Sequence, residues 1–176
     1  KSLQFKNYKN HIIATNEGAA VSLGIGQYLS TKKLPVIYMQ NSGLSNALNP
    51  LISIAHKKVY SIPLILIIGW RGSPGSKDEP QHNIKGKITR ELLKLLNIDY
   101  SILRTNSDLK KFEKKIKIAK KKKSVIACLI EKGILKSAKK KKDHKDYYKL
   151  NKEFFLKTLI ENLPQKKPRL VQLKSF

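Results

Sequence analysis

The chain has 176 residues, 40% of them hydrophobic, which is enough for about one domain with a single apolar core and excludes a disordered chain. A net charge of +25 at pH 7 suggests nucleic-acid binding, but only four of the 37 basic residues are arginine. Specific recognition of bases and phosphates favours arginine, and the lysine runs lack interleaved aromatic residues. We therefore predict a Lys-rich solvated surface, with nonspecific polyanion binding at low salt as the alternative.

The single cysteine and the length of the apolar runs indicate the cellular setting. Cys128 excludes an internal disulfide, which fits a reducing cytoplasm, and its apolar surroundings at 124–130 predict a buried core thiol. The longest apolar stretch, 62–69, is far shorter than the roughly 20 residues that cross a bilayer. No secretory signal opens the sequence. We expect a cytoplasmic protein without a membrane segment.

Strand and helix patterns alternate along most of the sequence. Hydrophobic periodicity predicts strands over 11–15, 34–40, 62–68, 99–103 and 125–130, and helices over 17–29, 50–56, 84–96 and 107–119. Asn49 and Ser107 are the predicted N-caps of the second and fourth helices, and Pro50 suits a first helical position. Residues 132–149 are Lys-rich and predict a linker, after which a further helix is expected over 150–163. We divide the chain into a domain at 1–131, this linker, and a segment at 150–176.

The alternation predicts an α/β fold in three layers, with a mainly parallel sheet covered by helices on both faces. Right-handed crossovers place the loops that follow parallel strands along one edge of the sheet. We therefore expect the junctions at 16–18, 40–46 and 69–82 to converge. Three polar segments on one edge would form a site.

Glu17 is the first candidate, because it stands at a predicted strand-to-helix junction. Open α/β folds place ligand contacts at this edge. On its own, an acidic residue in the first turn of a helix is more typical of a helix terminus, since the dipole favours it there. The other two junctions change that interpretation.

Both other junctions carry an unusual density of polar groups. In the first, Gly43 permits a tight turn, and the donors and acceptors around it are Gln40, Asn41, Ser42 and Asn46. The second, 69–82, combines Arg71 with two acids and His82 on a loop shaped by glycine and proline. Loops on rigid α/β scaffolds often carry function.

Together with Asn16-Glu17-Gly18, these blocks resemble the pyrimidine-binding domain of thiamine diphosphate-dependent 2-oxoacid decarboxylases. The resemblance covers roughly residues 10–105, and the runs at 40–51 and 69–82 are its most specific parts. Ser45 and Ser73 depart from the family pattern, where glycine and an acid are expected. The N-terminal helix and first strand of the family have no counterpart before residue 11, so we expect a domain that lacks both.

The resemblance implies roles for named residues. Glu17 matches the family glutamate that shares a proton with the cofactor's aminopyrimidine, and Gln81 and His82 match polar groups that handle protons around the reacting carbon. By the same matching, the residues expected to contact the cofactor are Glu17, Gln40, Asn41, Ser42, Gly43 and Asn46. Arg71 is our candidate for binding the phosphonate of the substrate, because a fork of donors suits a dianionic group; this assignment comes from chemistry and not from the resemblance. His82 would also face the substrate. No metal ligand is predicted in this chain.

The family also needs a domain that binds the diphosphate of thiamine diphosphate through Mg²⁺, marked by Gly-Asp-Gly, and this tripeptide is absent from the sequence. That domain would belong to a longer chain or to a partner subunit, in an assembly expected to be a homo-oligomer. We expect the isolated chain neither to hold the cofactor tightly nor to turn over. The implied substrate is a 2-oxo acid with a phosphonate group; a sulfonate analogue is the alternative, and a noncatalytic polyanion-binding protein is the rival from another class.

Overall fold

The computed structural model describes residues 11–136, 150–151 and 170–173. Within them, six strands form one sheet: β1 (His11–Ala14), β2 (Val36–Gln40), β3 (Ile65–Trp70), β4 (Asp99–Leu103), β5 (Ile126–Glu131) and β8 (Leu170–Leu173). Their order in the sheet is β1–β8–β2–β3–β5–β4, and every neighbouring pair is parallel. The predicted parallel α/β architecture is confirmed.

Helices connect these strands. They are α1 (Glu17–Thr31), a 3₁₀ segment (Asn41–Ala47), α2 (Leu48–Pro50), a π-helical turn (Leu51–Ala55), α3 (Pro80–Leu95) and α4 (Asn106–Lys122). The prediction that Asn49 caps the second helix is wrong, because helical turns already begin at Asn41, directly after β2. The Asn49 side chain instead accepts a hydrogen bond from Ser53, at 2.8 Å.

The start of α3 also differs from the prediction. The helix begins at Pro80 and not at residue 84, because proline suits the first helical turn and Glu79 before it is extended. Gln81 and His82 therefore lie in the first turn of α3 and not in the preceding loop.

Thr105, and not Ser107, caps α4. Its hydroxyl accepts a hydrogen bond from the Asp108 backbone N–H, and the Asp108 carboxylate accepts one from the Thr105 N–H. This reciprocal capping box satisfies two groups at the helix end, which Ser107 from inside the first turn could not do. The third strand is likewise shifted, to Ile65–Trp70, because Pro63 has no N–H for a ladder in the predicted range.

The sheet is covered on both faces by separate apolar clusters. Side chains of β3 alternate between them: Leu66 and Ile68 lie in one cluster, with Val21 of α1, whereas Ile65 packs on the other side with Phe112 of α4. All of these side chains are fully buried. The prediction of a strand buried on both faces is confirmed, as is the three-layer arrangement.

Cys128 is fully buried in β5, which confirms the predicted core thiol. Burial raises the pKa of its thiol, so that it stays protonated. In the part of the chain that the structure describes, no helix has the length and apolar character needed to cross a membrane.

Two short strands lie toward the C-terminus of the described chain. β7 (Leu150–Asn151) pairs in parallel with β6 (Leu135–Lys136), so the predicted helix from residue 150 is wrong at its first two positions, whose backbones pair in a sheet. The rest of that helix and linker residues 137–149 lie outside the described residues. The division of the chain at residues 131 and 150 stays a prediction. β8 was not predicted.

Candidate functional site

The carboxyl ends of β1, β2 and β3 bring the three predicted junctions together. Glu17 follows β1, the 3₁₀ segment follows β2, and the loop from Arg71 follows β3. The Asn46 Nδ2 donates to Glu17 Oε2 at 3.0 Å, and the Asn41 Nδ2 donates to the Arg71 carbonyl at 2.9 Å. The predicted convergence of the junctions is confirmed.

Glu17 is not the residue that caps α1. Asn16 is the N-cap, and its Oδ1 accepts a hydrogen bond from the Ala19 N–H at 2.8 Å. The half-buried Glu17 carboxylate is therefore not engaged at the helix end, and it turns to Asn46 from another segment. This geometry separates Glu17 from the usual role of a first-turn acid.

Two glycines allow the 3₁₀ segment to approach α1 closely. Gly43 is buried against the Glu17 carboxylate, and a Cβ atom at this position would overlap that group. A Cβ at Gly18 would lie 2.9 Å from the Asn46 carbonyl oxygen, closer than ordinary contacts. The carboxylate is thus enclosed by Gly43 on one side and by the Asn46 amide on another.

Asn41 ties the same segment to the rest of the edge. It is 5% exposed, its Nδ2 donates to the Thr89 hydroxyl of α3 at 3.0 Å as well as to the Arg71 carbonyl, and its Oδ1 accepts from the Arg71 N–H at 3.1 Å. Buried polar groups are costly unless they are paired, and this amide is paired by both of its ends. Asn41 therefore supports the turn from the protein interior.

Gln40 and Ser42 flank this amide. Gln40 is the last residue of β2, is half-buried and has Gly69 of β3 as its Cα partner. The Ser42 carbonyl accepts a hydrogen bond from the Ser45 hydroxyl at 3.3 Å, which stabilises the turn locally. The structure thus brings both residues to the same edge as Glu17.

Arg71 forms a bidentate ion pair with Asp78. Its Nε and Nη2 donate to the two carboxylate oxygens at 3.2 and 2.6 Å, and the Gly72 and Glu79 N–H groups donate to the same carboxylate at 3.1 and 3.0 Å. The hydrogen bond from Arg71 is the main cause that holds the pKa of Asp78 well below its usual range, and the same bond raises the pKa of Arg71. The Asp78 side chain is 4% exposed and that of Arg71 38%, so the guanidinium is the half that meets solvent.

The loop after β3 packs closely on the start of α3. Gly72 has a φ of +64°, a conformation that favours glycine, and a Cβ there would collide with the His82 carbonyl. A Cβ at Gly86 would in turn collide with the Gly72 carbonyl. The indole of Trp70 donates to the Gly86 carbonyl at 2.9 Å, which fixes the helix on the end of β3.

Gln81 and His82 share a neighbour. The Gln81 Nε2 donates to Glu79 Oε2 at 2.6 Å, and the His82 Nε2 lies 3.6 Å from the same oxygen. The His82 side chain is 13% exposed, and its buried Nδ1 has no hydrogen-bond partner among the described residues. A buried ring nitrogen without a partner is a group that a bound molecule can satisfy.

Sequence reasoning assigned no role to Asp78, Glu79 and Thr89. The two acids stand directly before Pro80, a position that could have marked them as supports of the loop at a helix start. The role of Thr89 could not be predicted, because the sequence around a helical threonine is the same whether or not its hydroxyl accepts a hydrogen bond from a buried amide. No group of three or more His, Cys, Asp or Glu side chains suited to a metal ion occurs in the described ranges.

Comparison with known protein families identifies the family to which the chain belongs. Residues 4–92 match the thiamine pyrophosphate enzyme family, N-terminal TPP binding domain, where TPP is thiamine diphosphate under its other name. The match covers half of the chain and contains all three junctions. The chain belongs to this family. The resemblance drawn from the motifs is thus confirmed, and thiamine diphosphate is the cofactor class that the fold serves.

Three curated proteins from other organisms are similar to parts of the chain. Phosphonopyruvate decarboxylases from Streptomyces viridochromogenes and Streptomyces hygroscopicus are 41% and 40% identical over 98 residues, which is 56% of this chain and 24% of each relative. The alpha subunit of sulfopyruvate decarboxylase from Methanococcus maripaludis is 38% identical over 90 residues, 51% of this chain and 52% of the relative. The chain therefore matches about a quarter of the first two relatives and about half of the third.

Proposed function

We propose that this chain is the pyrimidine-binding part of a thiamine diphosphate-dependent decarboxylase that converts phosphonopyruvate to phosphonoacetaldehyde and CO₂. The observation that carries the proposal is the Glu17 carboxylate, which lies between Gly43 and Asn46 at the carboxyl edge of the sheet. Family membership supports the cofactor, and two phosphonopyruvate decarboxylases at about 40% identity support the reaction.

The residues of this edge fit the pyrimidine ring. Asn46 bonds one oxygen of Glu17 and would leave the other for a ring nitrogen, while the lack of a Cβ at Gly43 lets the 3₁₀ segment pack directly against the carboxylate and hold it in place. Gln40 and Ser42 would contact the ring from the same turn, with Asn41 supporting them from beneath. When bound, thiamine diphosphate supplies an electron sink for the pair released with CO₂. Glu17 would hold or give the proton at its carboxylate oxygen.

His82 and Gln81 are proposed to act on the substrate side. The unpartnered Nδ1 of His82 supports a role as proton donor or oxyanion partner, because it is a buried donor or acceptor without a partner among the described residues. Gln81 would orient the substrate from the same helical turn. Glu79 contacts Gln81 and lies near His82, so it would set the orientation of both.

Arg71 is the proposed phosphonate ligand. Two of the five N–H donors of its guanidinium are bonded to Asp78, so the bidentate pair fixes the plane of the group while its remaining donors meet solvent. The similarity to sulfopyruvate decarboxylase alpha subunits favours sulfopyruvate as the second candidate, since a sulfonate would meet the same donors. In that case the diphosphate-binding domain, with its Mg²⁺, would belong to a partner subunit.

The decisive experiment uses the full-length enzyme and measures CO₂ release from both substrates. We expect phosphonopyruvate to be consumed, and we expect Glu17→Gln to reduce kcat by a factor of about 10² to 10⁴, the usual range for loss of a proton-transfer group. Glu91→Gln is the matched control, because Glu91 is exposed on α3 and, among the described residues, pairs with Lys94. Equal rates for both variants would refute the role of Glu17, and consumption of sulfopyruvate alone would select the second candidate.

A further inference from the structure

One side of the molecule is built from elements that carry no charge. Residues 18–31 and 34–55 contain no Asp, Glu, Lys or Arg, although these four types make up 28% of the chain. The first stretch is α1 after its first residue, and the second includes the 3₁₀ segment, α2 and the π-helical turn. These helical elements contact one another and pack on the same face of the sheet. The solvent-facing surface of residues 18–31 and 41–55 is here called the neutral face.

The solvent side of α1 differs from that of an ordinary surface helix. A surface helix turns its apolar residues toward the core and charged or polar residues toward water. In α1, Val21 is buried in the core, yet Leu23 and Leu29 on the other side of the helix are 45% and 52% exposed. The exposed residues between these leucines include Ser22 and Gly26, which are small and uncharged. A helix that is apolar on both sides is typical of one that is covered on both sides.

The neighbouring elements continue this pattern. Ile52 of the π-helical turn is 47% exposed, and Asn49 and Ser53 beside it are exposed and uncharged. Lysines reappear where these elements end, at Lys32 after α1 and at Lys57 after the turn, and both are exposed. An apolar, uncharged centre with a charged rim is the usual anatomy of a protein–protein interface.

We infer that the neutral face is an interface with a second copy of this chain, related to the first by a two-fold axis. In such an interface each residue near the axis meets its own counterpart, so a lysine there would face a lysine. A chain with a net charge of +25 therefore meets a copy of itself with the least repulsion through a surface that carries no charge. The sequence led us to expect a homo-oligomer without indicating which surface forms it, and the inference does not depend on the proposed reaction.

The position of the lysines supports a second copy as the occupant. α4 carries eight lysines, six of them exposed, and packs through Phe112 and Ile116 on the opposite face of the sheet. Two copies joined at the neutral face hold their α4 helices on the far sides of the dimer, well beyond the screening length of about 10 Å at 0.1 M salt. An acidic partner attracted by the charge of the chain would instead dock on the lysines.

The size of the neutral face sets the expected strength of the dimer. α1 has 15 residues and is therefore about 22 Å long. Because neighbouring helices pack about 8–10 Å apart, two such elements side by side present roughly 400–500 Å² on each copy. This area is below the roughly 800 Å² per partner of a typical stable interface. We therefore expect a reversible dimer with a Kd on the order of micromolar.

Sedimentation equilibrium of the full chain, at concentrations on either side of the expected Kd, tests the inference. We expect Leu23→Lys combined with Ile52→Lys to raise the Kd of the dimer at least about a hundredfold, because four like charges would meet in one interface. Ile118→Lys is the matched control: Ile118 is 53% exposed on α4, and its replacement should change the Kd less than about threefold. A chain that stays monomeric, or equal weakening by both variants, would overturn the inference.

Two further measurements apply even if the lysine variants fail to fold. Raising the salt concentration from about 50 to about 500 mM should lower the Kd of the unmodified chain at least about threefold, because salt screens the repulsion between the two copies. In a separate variant, Ser22→Cys should yield dimers with a short bismaleimide cross-linker, whereas the control Ile118→Cys should not; Cys128 is buried and does not react. A Kd that rises with salt, or equal cross-linking of both variants, would overturn the inference.

Discussion

At the scale of single residues, the site depends on contacts that leave no room for alternatives. The Glu17 carboxylate lies against Gly43, and the Asp78 carboxylate accepts bonds from Arg71 and from two backbone N–H groups. Each contact fixes a charged group in one position. Changes at these positions should therefore have effects that similar changes elsewhere in the chain do not have.

Gly43→Ala tests the contact with Glu17. The new methyl group would overlap the carboxylate, so we expect a loss of about 1–3 kcal/mol in the free energy of unfolding, measured by urea denaturation. Gly26→Ala is the control: Gly26 lies in α1 with open space around it, and alanine there should stabilise by about 0.5–1 kcal/mol. A neutral or stabilising effect of Gly43→Ala would contradict the observed packing.

The Arg71–Asp78 ion pair predicts that the free energy of unfolding falls at acidic pH. Because the folded-state pKa of Asp78 is depressed, chiefly by its hydrogen bond with Arg71, the pair stabilises the fold above the ordinary aspartate pKa of about 4 and is lost as pH falls toward the depressed value. The difference in unfolding free energy between the unmodified chain and Asp78→Asn should be constant from about pH 7 to pH 5 and shrink below about pH 4. Urea denaturation at each pH measures it. A difference that is independent of pH would show that the charge of Asp78 contributes nothing.

At the scale of elements, α3 and the 3₁₀ segment are joined by one buried polar contact. Thr89 is 2% exposed, receives the Asn41 amide and donates to the Lys85 carbonyl of its own helix at 2.6 Å. This single threonine thereby connects the turn after β2 with the helix that carries Gln81 and His82.

Thr89→Val tests that connection. Valine has nearly the same shape but leaves one N–H of the Asn41 amide without its acceptor, so we expect a loss of about 1–3 kcal/mol in the free energy of unfolding. Ile88→Val, at the adjacent position, which is 53% exposed, should change it by less than about 0.5 kcal/mol. Thermal or urea unfolding of both variants gives the comparison, and equal small losses would argue against the role of Thr89.

At the scale of the whole molecule, the positive charge and the candidate site lie on different parts of the surface and call for separate explanations. Six of the eight lysines of α4 are exposed, whereas Phe112 and Ile116 are buried, so the predicted Lys-rich solvated surface is confirmed for most of this helix; Lys115 and Lys120 are half-buried. The candidate site, by contrast, lies at one edge of the sheet, where the residues proposed to contact the pyrimidine lie at the carboxyl ends of β1 and β2. The proposed diphosphate-binding domain or subunit would complete it.

Titration calorimetry with thiamine diphosphate and Mg²⁺ tests that division. We expect the isolated chain to bind the cofactor weakly, with a Kd in the millimolar range or no detectable heat, because a site that contacts only the pyrimidine forgoes the charge-assisted bonds to the diphosphate. The full-length enzyme, or the chain with its partner subunit, should bind at least about a hundredfold more tightly. Tight binding by the isolated chain would contradict the proposal that the site is shared.

The sequence alone determined the parallel α/β fold, the family and the identity of the three polar segments, because these depend on local patterns: runs of apolar residues, turn glycines and short polar motifs. The helix start at Pro80 and the N-cap at Thr105 were missed by a few residues, since several neighbouring positions could begin a helix equally well. Only the tertiary structure decided that Asn16 and not Glu17 caps α1, that Arg71 pairs with Asp78, and that β8 enters between β1 and β2. Each of these choices selects one partner among several chemically suitable ones, and the selection is made by packing that no short stretch of sequence contains.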